Sequence, residues 1–201
     1  MKRPAAVLFD LGNVLVSIHP GAFTRHLGID PETARTRYKE PIIETVRRYE
    51  LGLMSTAEYL AELSHLFENR YAPEQLREAM LRVIGDPIPG MEKIVSSVAS
   101  TTPVALVSNT NELHFSLCKK NLPALRFIPQ FFLSYAMKAS KPDPRYYQIV
   151  LERLGVSPDS IVFIDDLEEN VEGARTAEMN GILFGGPEEL EPELEKLGLT
   201  T

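Results

Sequence analysis

The stretch Val7-Leu8-Phe9-Asp10-Leu11-Gly12-Asn13-Val14-Leu15 decides how this chain is read. An apolar, β-prone run stops at one carboxylate, and the Gly12-Asn13 pair that follows allows the tight, positive-φ turn by which a chain leaves a strand. Asp10 is therefore expected at the carboxyl end of a buried strand, where open α/β sheets bind their ligands. A carboxylate held there is a candidate nucleophile or metal ligand. The same residue reads equally well as a strand-ending Asp that caps its own turn, so support has to come from other segments.

The second half of the chain supplies it. After a helix over about 91–99, an apolar run at 104–107 ends at Ser108-Asn109, and a helix follows through Leu113 and Leu117. A short strand at 131–133 leads to a loop carrying Lys141-Pro142 and a helix over about 145–154. The run at 161–164 ends at Asp165-Asp166 before a helix containing Val171 and Ala174, and a last strand at 182–184 precedes an acidic closing helix at 188–197. Strands alternating with helices imply βαβ units, right-handed crossovers and an α/β fold whose Rossmann-like parallel sheet is buried on both faces. In such a sheet every carboxyl end faces one edge, so Asp10, Ser108, Lys141, Asp165 and Asp166 would converge there. Singly each has a plainer reading: Asp165-Asp166 as a helix cap, Lys141 as a solvated lysine.

Between the first strand and the rest lies helix-period sequence. Ile42, Ile43, Val46, Tyr49 and Leu53 recur at helical spacing, as do Ala57, Leu60, Ala61, Leu63 and Leu66 behind a Ser55-Thr56 cap. Pro73-Glu74 opens a third helix through Leu76, Met80 and Val83, stopped by Gly85 and Pro87. No strand is expected from about 23 to 85, and Pro87, Pro89 and Gly90 read as the return linker. The expected organisation is a core formed by 1–16 and 88–201, with a helical bundle inserted at 17–87.

Composition sets limits on function. The chain has 201 residues, 44% hydrophobic and 24% charged, enough for one full core and a small satellite. With 28 acidic against 21 basic residues, a formal charge of −7 and no Lys/Arg-rich block, no nucleic-acid partner is expected, and an anionic substrate needs a local positive site. Single Cys118 excludes an intramolecular disulfide and a cysteine metal cluster, which fits a reducing compartment. No apolar segment approaches a membrane span, and the N-terminal apolar run is short and broken by Asp10, so no membrane partner and a cytoplasmic location are expected. Oligomeric state leaves no mark in the sequence.

Taken together, these residues resemble the haloacid dehalogenase-like hydrolase superfamily over essentially the whole chain. Asp10-Leu11-Gly12-Asn13-Val14-Leu15 resembles its first motif, Val107-Ser108-Asn109 its second, Lys141-Pro142 its third and Ile164-Asp165-Asp166 its fourth, in that order. The helical insert resembles the superfamily's helical cap. The fuller strings from Phe9 to Val16, from Ser108 to Asn111, and Asp165-Asp166 with Asn170 are most similar to small sugar-phosphate phosphatases of the α-D-glucose-1-phosphate phosphatase type.

The resemblance implies a core with strand order 5-4-1-2-3 and a Mg²⁺-dependent phosphatase of a small phosphate monoester, a phosphorylated sugar favoured. Asp10 would form an aspartyl-phosphate. Mg²⁺ would be held by Asp10, the Gly12 carbonyl, Asp165 and Asp166, while Lys141, Ser108 and the main chain near Leu11 and Asn109 hold the phosphoryl group. One position departs from the superfamily pattern: two residues past the nucleophile, where a second Asp commonly serves as acid and base, stands Gly12. Replacements are His19, Glu50 or water on the metal, the water being preferred. Gly12 also keeps two alternatives open, a metal-independent 2-haloacid dehalogenase and a catalytically silent binding protein of the same fold.

Overall fold

The computed structural model describes residues 3–200. In chain order its strands are β1 (Ala6–Phe9), β2 (Val16–Ile18), β3 (Ile84–Pro87), β4 (Val104–Ser108), β5 (Gln130–Leu133), β6 (Ile161–Asp165) and β7 (Asn180–Leu183). Five form one parallel sheet in the order β5-β4-β1-β6-β7. Counted as sheet strands alone, that order reads 5-4-1-2-3 from the β7 edge. The sequence order reverses at β1, whose neighbours continue the chain in opposite directions, so the ligand crevice belongs at its carboxyl end.

β2 and β3 pair antiparallel as a separate ribbon, Val16 opposite Pro87 and Ile18 opposite Ile84. The expectation of no strand between 23 and 85 is thereby corrected, since Ile84 and Gly85 belong to β3. A strand of three or four residues, ended by a proline and completed by a partner far along the chain, leaves no periodicity for a local reading to find. The turn between β1 and β2 takes its positive φ at Asn13 (53°), a residue whose short polar side chain tolerates that region.

The regular elements between β2 and β3 are all helical: α1 (Gly21–His26), α2 (Pro31–Thr33), a π-helical passage Ala34–Tyr38 into α3 (Lys39–Glu50), α4 (Thr56–Leu66) and α5 (Pro73–Leu81). The Ser55 cap is present as a reciprocal box, with the Glu58 N–H donating to Ser55 Oγ and the Ser55 N–H to Glu58 Oε2. These helices bury an apolar cluster of their own, including Phe23, Tyr38, Tyr59, Leu63, Phe67 and Leu76. Leu113 is its contribution from outside the unit. Tyr49 and Tyr59 stack with ring centroids 4.3 Å apart.

The sheet is covered on both faces by α6 (Met91–Ala99), α7 (Glu112–Asn121), α8 (Ser134–Met137), α9 (Pro144–Leu154), α10 (Glu168–Thr176) and α11 (Pro187–Lys196). Alternation along β1 divides its side chains: Val7 and Phe9 join Met91, Ile94 and Val98 on one face, while Ala6 and Leu8 join Tyr146, Tyr147 and Val150 on the other. Burying each such Val, Leu or Phe side chain contributes roughly 1.5–3 kcal/mol. The residues at the ends of β1 and β6 are thus anchored on the most deeply packed part of the molecule.

The helical unit touches the core at its far side as well as through the ribbon. Gly52, at a φ of +62°, lies so close to the core that a Cβ there would stand 2.1 Å from the Tyr135 carbonyl oxygen. Nearby, Tyr49 Oη is 2.7 Å from Thr56 Oγ1, which in turn donates to Glu112 Oε2 on α7 at 2.7 Å. His114 completes the contact, its Nε2 donating to the Met80 carbonyl (2.9 Å) while Nδ1 faces the Asn111 amide (3.1 Å). Burial lowers the pKa of this histidine, against the opposing pull of the Met80 carbonyl.

Candidate active site

Register fixes the depth of each group at the sheet edge. Phe9 pairs with Leu106 on β4 and with Ile164 on β6, so Asp10 and Asp165 end adjacent strands at one level. The Asp10 N–H donates to the Ile164 carbonyl at 2.9 Å. Ser108 closes β4 and is buried. Lys141 returns to the same edge from the loop between α8 and α9. Its Nζ donates to Asp10 Oδ1 and Asp165 Oδ2, each at 2.6 Å, and to the Val107 carbonyl at 3.2 Å. Lys141 is 4% exposed and Asp165 0%. Ions so deeply buried survive only when paired and hydrogen-bonded, which this bridge accomplishes for both.

Side-chain amides hold the bridge in place. Asn109 Oδ1 accepts from the Lys141 N–H (2.9 Å) and its Nδ2 donates to the Lys141 carbonyl (2.8 Å), so the loop is clasped to the end of β4. That side chain is committed, and any ligand contact from residue 109 falls to its main chain. Asp165 Oδ1 accepts from the Leu167 N–H (3.0 Å) and Asn170 Nδ2 (2.9 Å). The helix-cap reading of Asp165 is not what the structure shows, since α10 has Leu167 at its N-cap with no side-chain cap bond; one Asp165 oxygen instead holds the turn and the Asn170 amide and the other goes to Lys141. Asn13 Nδ2 donates to Asp166 Oδ2 (3.0 Å), while Asn13 Oδ1 accepts from the Ile18 N–H (3.0 Å).

The electrostatics follow from burial and charge count. Burial pushes the Asp10 carboxyl up to about 6, with Lys141 pulling it down and Asp165 pushing it up further. For Lys141, burial opposes the ammonium, but Asp10 and Asp165 outweigh it and the pKa is raised. Asp10, Asp165 and Asp166 each bring one oxygen within 4.8 Å of the others. Three carboxylates against one ammonium leave two negative charges, the complement of a divalent cation, and an all-oxygen donor set suits a hard one such as Mg²⁺. The residues present therefore fit the metal.

Above this floor opens a cleft of about 1000 Å³ between core and helical unit. Asp10, Leu11, Gly12, Ser108, Asn109, Lys141 and Asp166 all line it, and Asp165 lies fully buried behind them. Phe23, Ile42, Val46, Glu50 and Met80 form the opposite wall. His19 is not among the lining residues: it sits on the ribbon, where a Cβ on Gly85 would fall 2.6 Å from its Nε2. Asn13 and Ser134 escaped the sequence reading as structural supports. Ser134 Oγ accepts from the Thr110 N–H (2.9 Å) and donates to the Thr110 carbonyl (3.0 Å) across segments that sequence does not connect.

The space beside Gly12 is taken. A Cβ there would meet Ile18 Cγ1 at 3.0 Å and Asp10 Oδ2 at 3.9 Å. Gly12→Asp should therefore lower stability by about 1–3 kcal/mol, the usual cost of overpacking, with a further carboxylate added to an acidic cluster. Thermal melts of Gly12→Asp and of the same change combined with Ile18→Ala are the check. The double variant should recover part of the loss, and a single variant as stable as the parent would show that Ile18 yields freely.

The haloacid dehalogenase-like hydrolase family profile matches residues 4–178. A phosphorylated carbohydrates phosphatase from Thermotoga maritima is 27% identical over 180 residues, covering 86% of this chain and 81% of its own length. Among solved structures, a HAD family enzyme from Bacteroides thetaiotaomicron superposes with a TM-score of 0.87 at 23% identity, covering 96% of this chain and 99% of that one. The wild-type form of that enzyme in complex with magnesium and inorganic phosphate gives a TM-score of 0.78 at 22% identity, with 91% and 95% covered. At that level of identity the structural likeness speaks for the fold.

Proposed function

The chain belongs to the haloacid dehalogenase-like hydrolase family, and from that premise we propose that it is a Mg²⁺-dependent phosphatase of a small phosphate monoester, a phosphorylated sugar being the favoured substrate. The observation that carries this reading is the buried bridge from Lys141 to Asp10 and Asp165 beside Asp166 at the floor of the cleft. Its two uncompensated negative charges call for a divalent cation. The Thermotoga relative named as a phosphatase of phosphorylated carbohydrates supports the substrate class.

In this reading Asp10 attacks phosphorus, the bond to the leaving oxygen breaks, and the aspartyl-phosphate is later opened by water. Lys141 aligns the Asp10 carboxylate and offers positive charge to the phosphoryl oxygens, with Ser108 and the main-chain N–H groups at Leu11 and Asn109 holding the rest. Asp10, Asp165, Asp166 and the Gly12 carbonyl would hold Mg²⁺, which when bound screens the dianionic ester from the attacking carboxylate. The apolar wall from the helical unit would keep stray water from the phosphorylated aspartate.

The absent side chain at Gly12 keeps a 2-haloacid dehalogenase as the second reading. That chemistry needs no divalent cation, so one experiment separates the two: turnover of phosphate monoesters and of 2-haloacids, each with and without chelator. Phosphate release that stops on chelation and returns with Mg²⁺ is expected. Mg²⁺ should also raise the melting temperature, because it relieves repulsion within the acidic cluster. Asp165→Ala should mimic chelation. Halide release that survives chelation would sink the phosphatase reading.

A further inference from the structure

With Ile18 filling the space beside Gly12, the proton for the departing oxygen must come from elsewhere in the cleft. The protic groups there sort themselves by their partners. Asp166 is bound by Asn13 within the acidic cluster, and both ring nitrogens of His114 are engaged. His19 is outside the lining. The arginines and lysine that the helical unit adds to the cleft are cationic groups suited to holding an anionic ester. Glu50 remains. Among the described residues no hydrogen-bond donor and no cation reaches its carboxyl group, which is half-buried in the cleft wall at the last turn of α3.

Its position is also fixed toward the core. Tyr49, one residue before it, is linked through Thr56 to Glu112, and Gly52, two residues after it, rests against the Tyr135 carbonyl. A side chain between two such ties is held at the seam where the helical unit meets the sheet edge. We infer that Glu50 is the catalytic acid that protonates the leaving-group oxygen, the task left vacant at Gly12. This rests on the phosphatase reading. As the bond from phosphorus to the leaving oxygen breaks and Asp10 becomes phosphorylated, the Glu50 carboxyl gives its proton to that oxygen. In the second half its carboxylate takes a proton from the attacking water as the bond from phosphorus to Asp10 breaks, so phosphate departs and both carboxyl groups return to their starting forms.

Two features of the surroundings agree. Burial pushes the Glu50 carboxyl up to about 7, so much of it carries a proton near neutral pH, where an acid is most effective. Two phenols feel the same surroundings: burial and then Glu50 raise the Tyr59 pKa, and Tyr49 adds to the effect.

The test compares Glu50→Gln with the parent on two esters in the presence of Mg²⁺. One is p-nitrophenyl phosphate, whose leaving group departs without a proton, and the other is an alkyl or sugar-6-phosphate, whose leaving group requires one. Read as single-turnover release of the leaving group, before water opens the aspartyl-phosphate, a nearly isosteric amide should slow the alkyl ester by about 100-fold or more, the usual worth of a general acid, and p-nitrophenol release by less than about threefold on the same reasoning. An unchanged thermal melt of the variant is the control that it folds. Equal losses on both esters, or no loss on either, overturn the assignment of Glu50 while leaving the phosphatase reading intact. A parent that hydrolyses neither ester overturns both.

Discussion

Asp10→Asn should reduce phosphate release by on the order of 10⁴-fold or more, the scale on which covalent catalysts fail without their nucleophile. The substitution preserves shape and removes the attacking charge. Structure should persist, because the Lys141 ammonium keeps its bonds to Asp165 Oδ2 and to the Val107 carbonyl. One carboxylate fewer in a cluster of three also lessens repulsion. The expected variant is therefore inactive and folded, with a melting temperature close to that of the parent. Retention of more than about a tenth of the parent rate is far above what loss of a nucleophile allows and would exclude covalent chemistry at Asp10.

Lys141→Met should have the largest effect on stability. The ammonium is the one cation bonded to Asp10 and Asp165 among the described residues, and both carboxylates are buried. Removing one partner from a buried ionic group leaves the others uncompensated, at a cost of about 3–5 kcal/mol. For a chain of this size that corresponds to a fall in melting temperature of roughly 6–20 °C. Mg²⁺ should restore part of it, since a divalent cation can take over the charge balance. Turnover should remain low even then, because the phosphoryl group has lost a cation that aligns the nucleophile. A variant that melts with the parent in metal-free buffer would show that Asp10 and Asp165 are not ionised together, and the charge argument for the metal would fall with it.

Legibility of this molecule from sequence follows the range of the forces involved. The three central strands announce themselves because a strand buried on both faces must be continuously apolar, and each run stops at the polar residue that ends it at the sheet edge, Asp10, Ser108 or Asp165. The site was readable for the same reason, since parallel strands leave those ends no choice of edge. What could not be read depends on pairing between distant segments. The Asn109 clasp on Lys141 joins a strand end to a loop 32 residues away. The β2–β3 ribbon is too short to carry a pattern, and Ile18 gives no sign in sequence that it fills the space beside Gly12. Likewise the sequence reading, which prefers metal-bound water to His19 and Glu50 as proton donor, holds no sign that Glu50 lines the cleft wall and His19 does not.

The ribbon also says something about polymer topology. Leu15 and Ile88 are joined by a hydrogen bond of 2.9 Å from the Ile88 N–H to the Leu15 carbonyl, and Val16 stands opposite Pro87. The helical segment thus leaves and re-enters at neighbouring points, so to the core it is a loop already closed. Loop-closure entropy grows only as the logarithm of length, about 0.6 kcal/mol for each doubling. The core that carries Asp10 is therefore nearly indifferent to how much chain is threaded between those two points. The ribbon acts as a socket: helical segments of other lengths and other cleft-facing side chains can be exchanged there, altering what enters the cleft while the chemistry beneath it stays where β1 and β6 have put it.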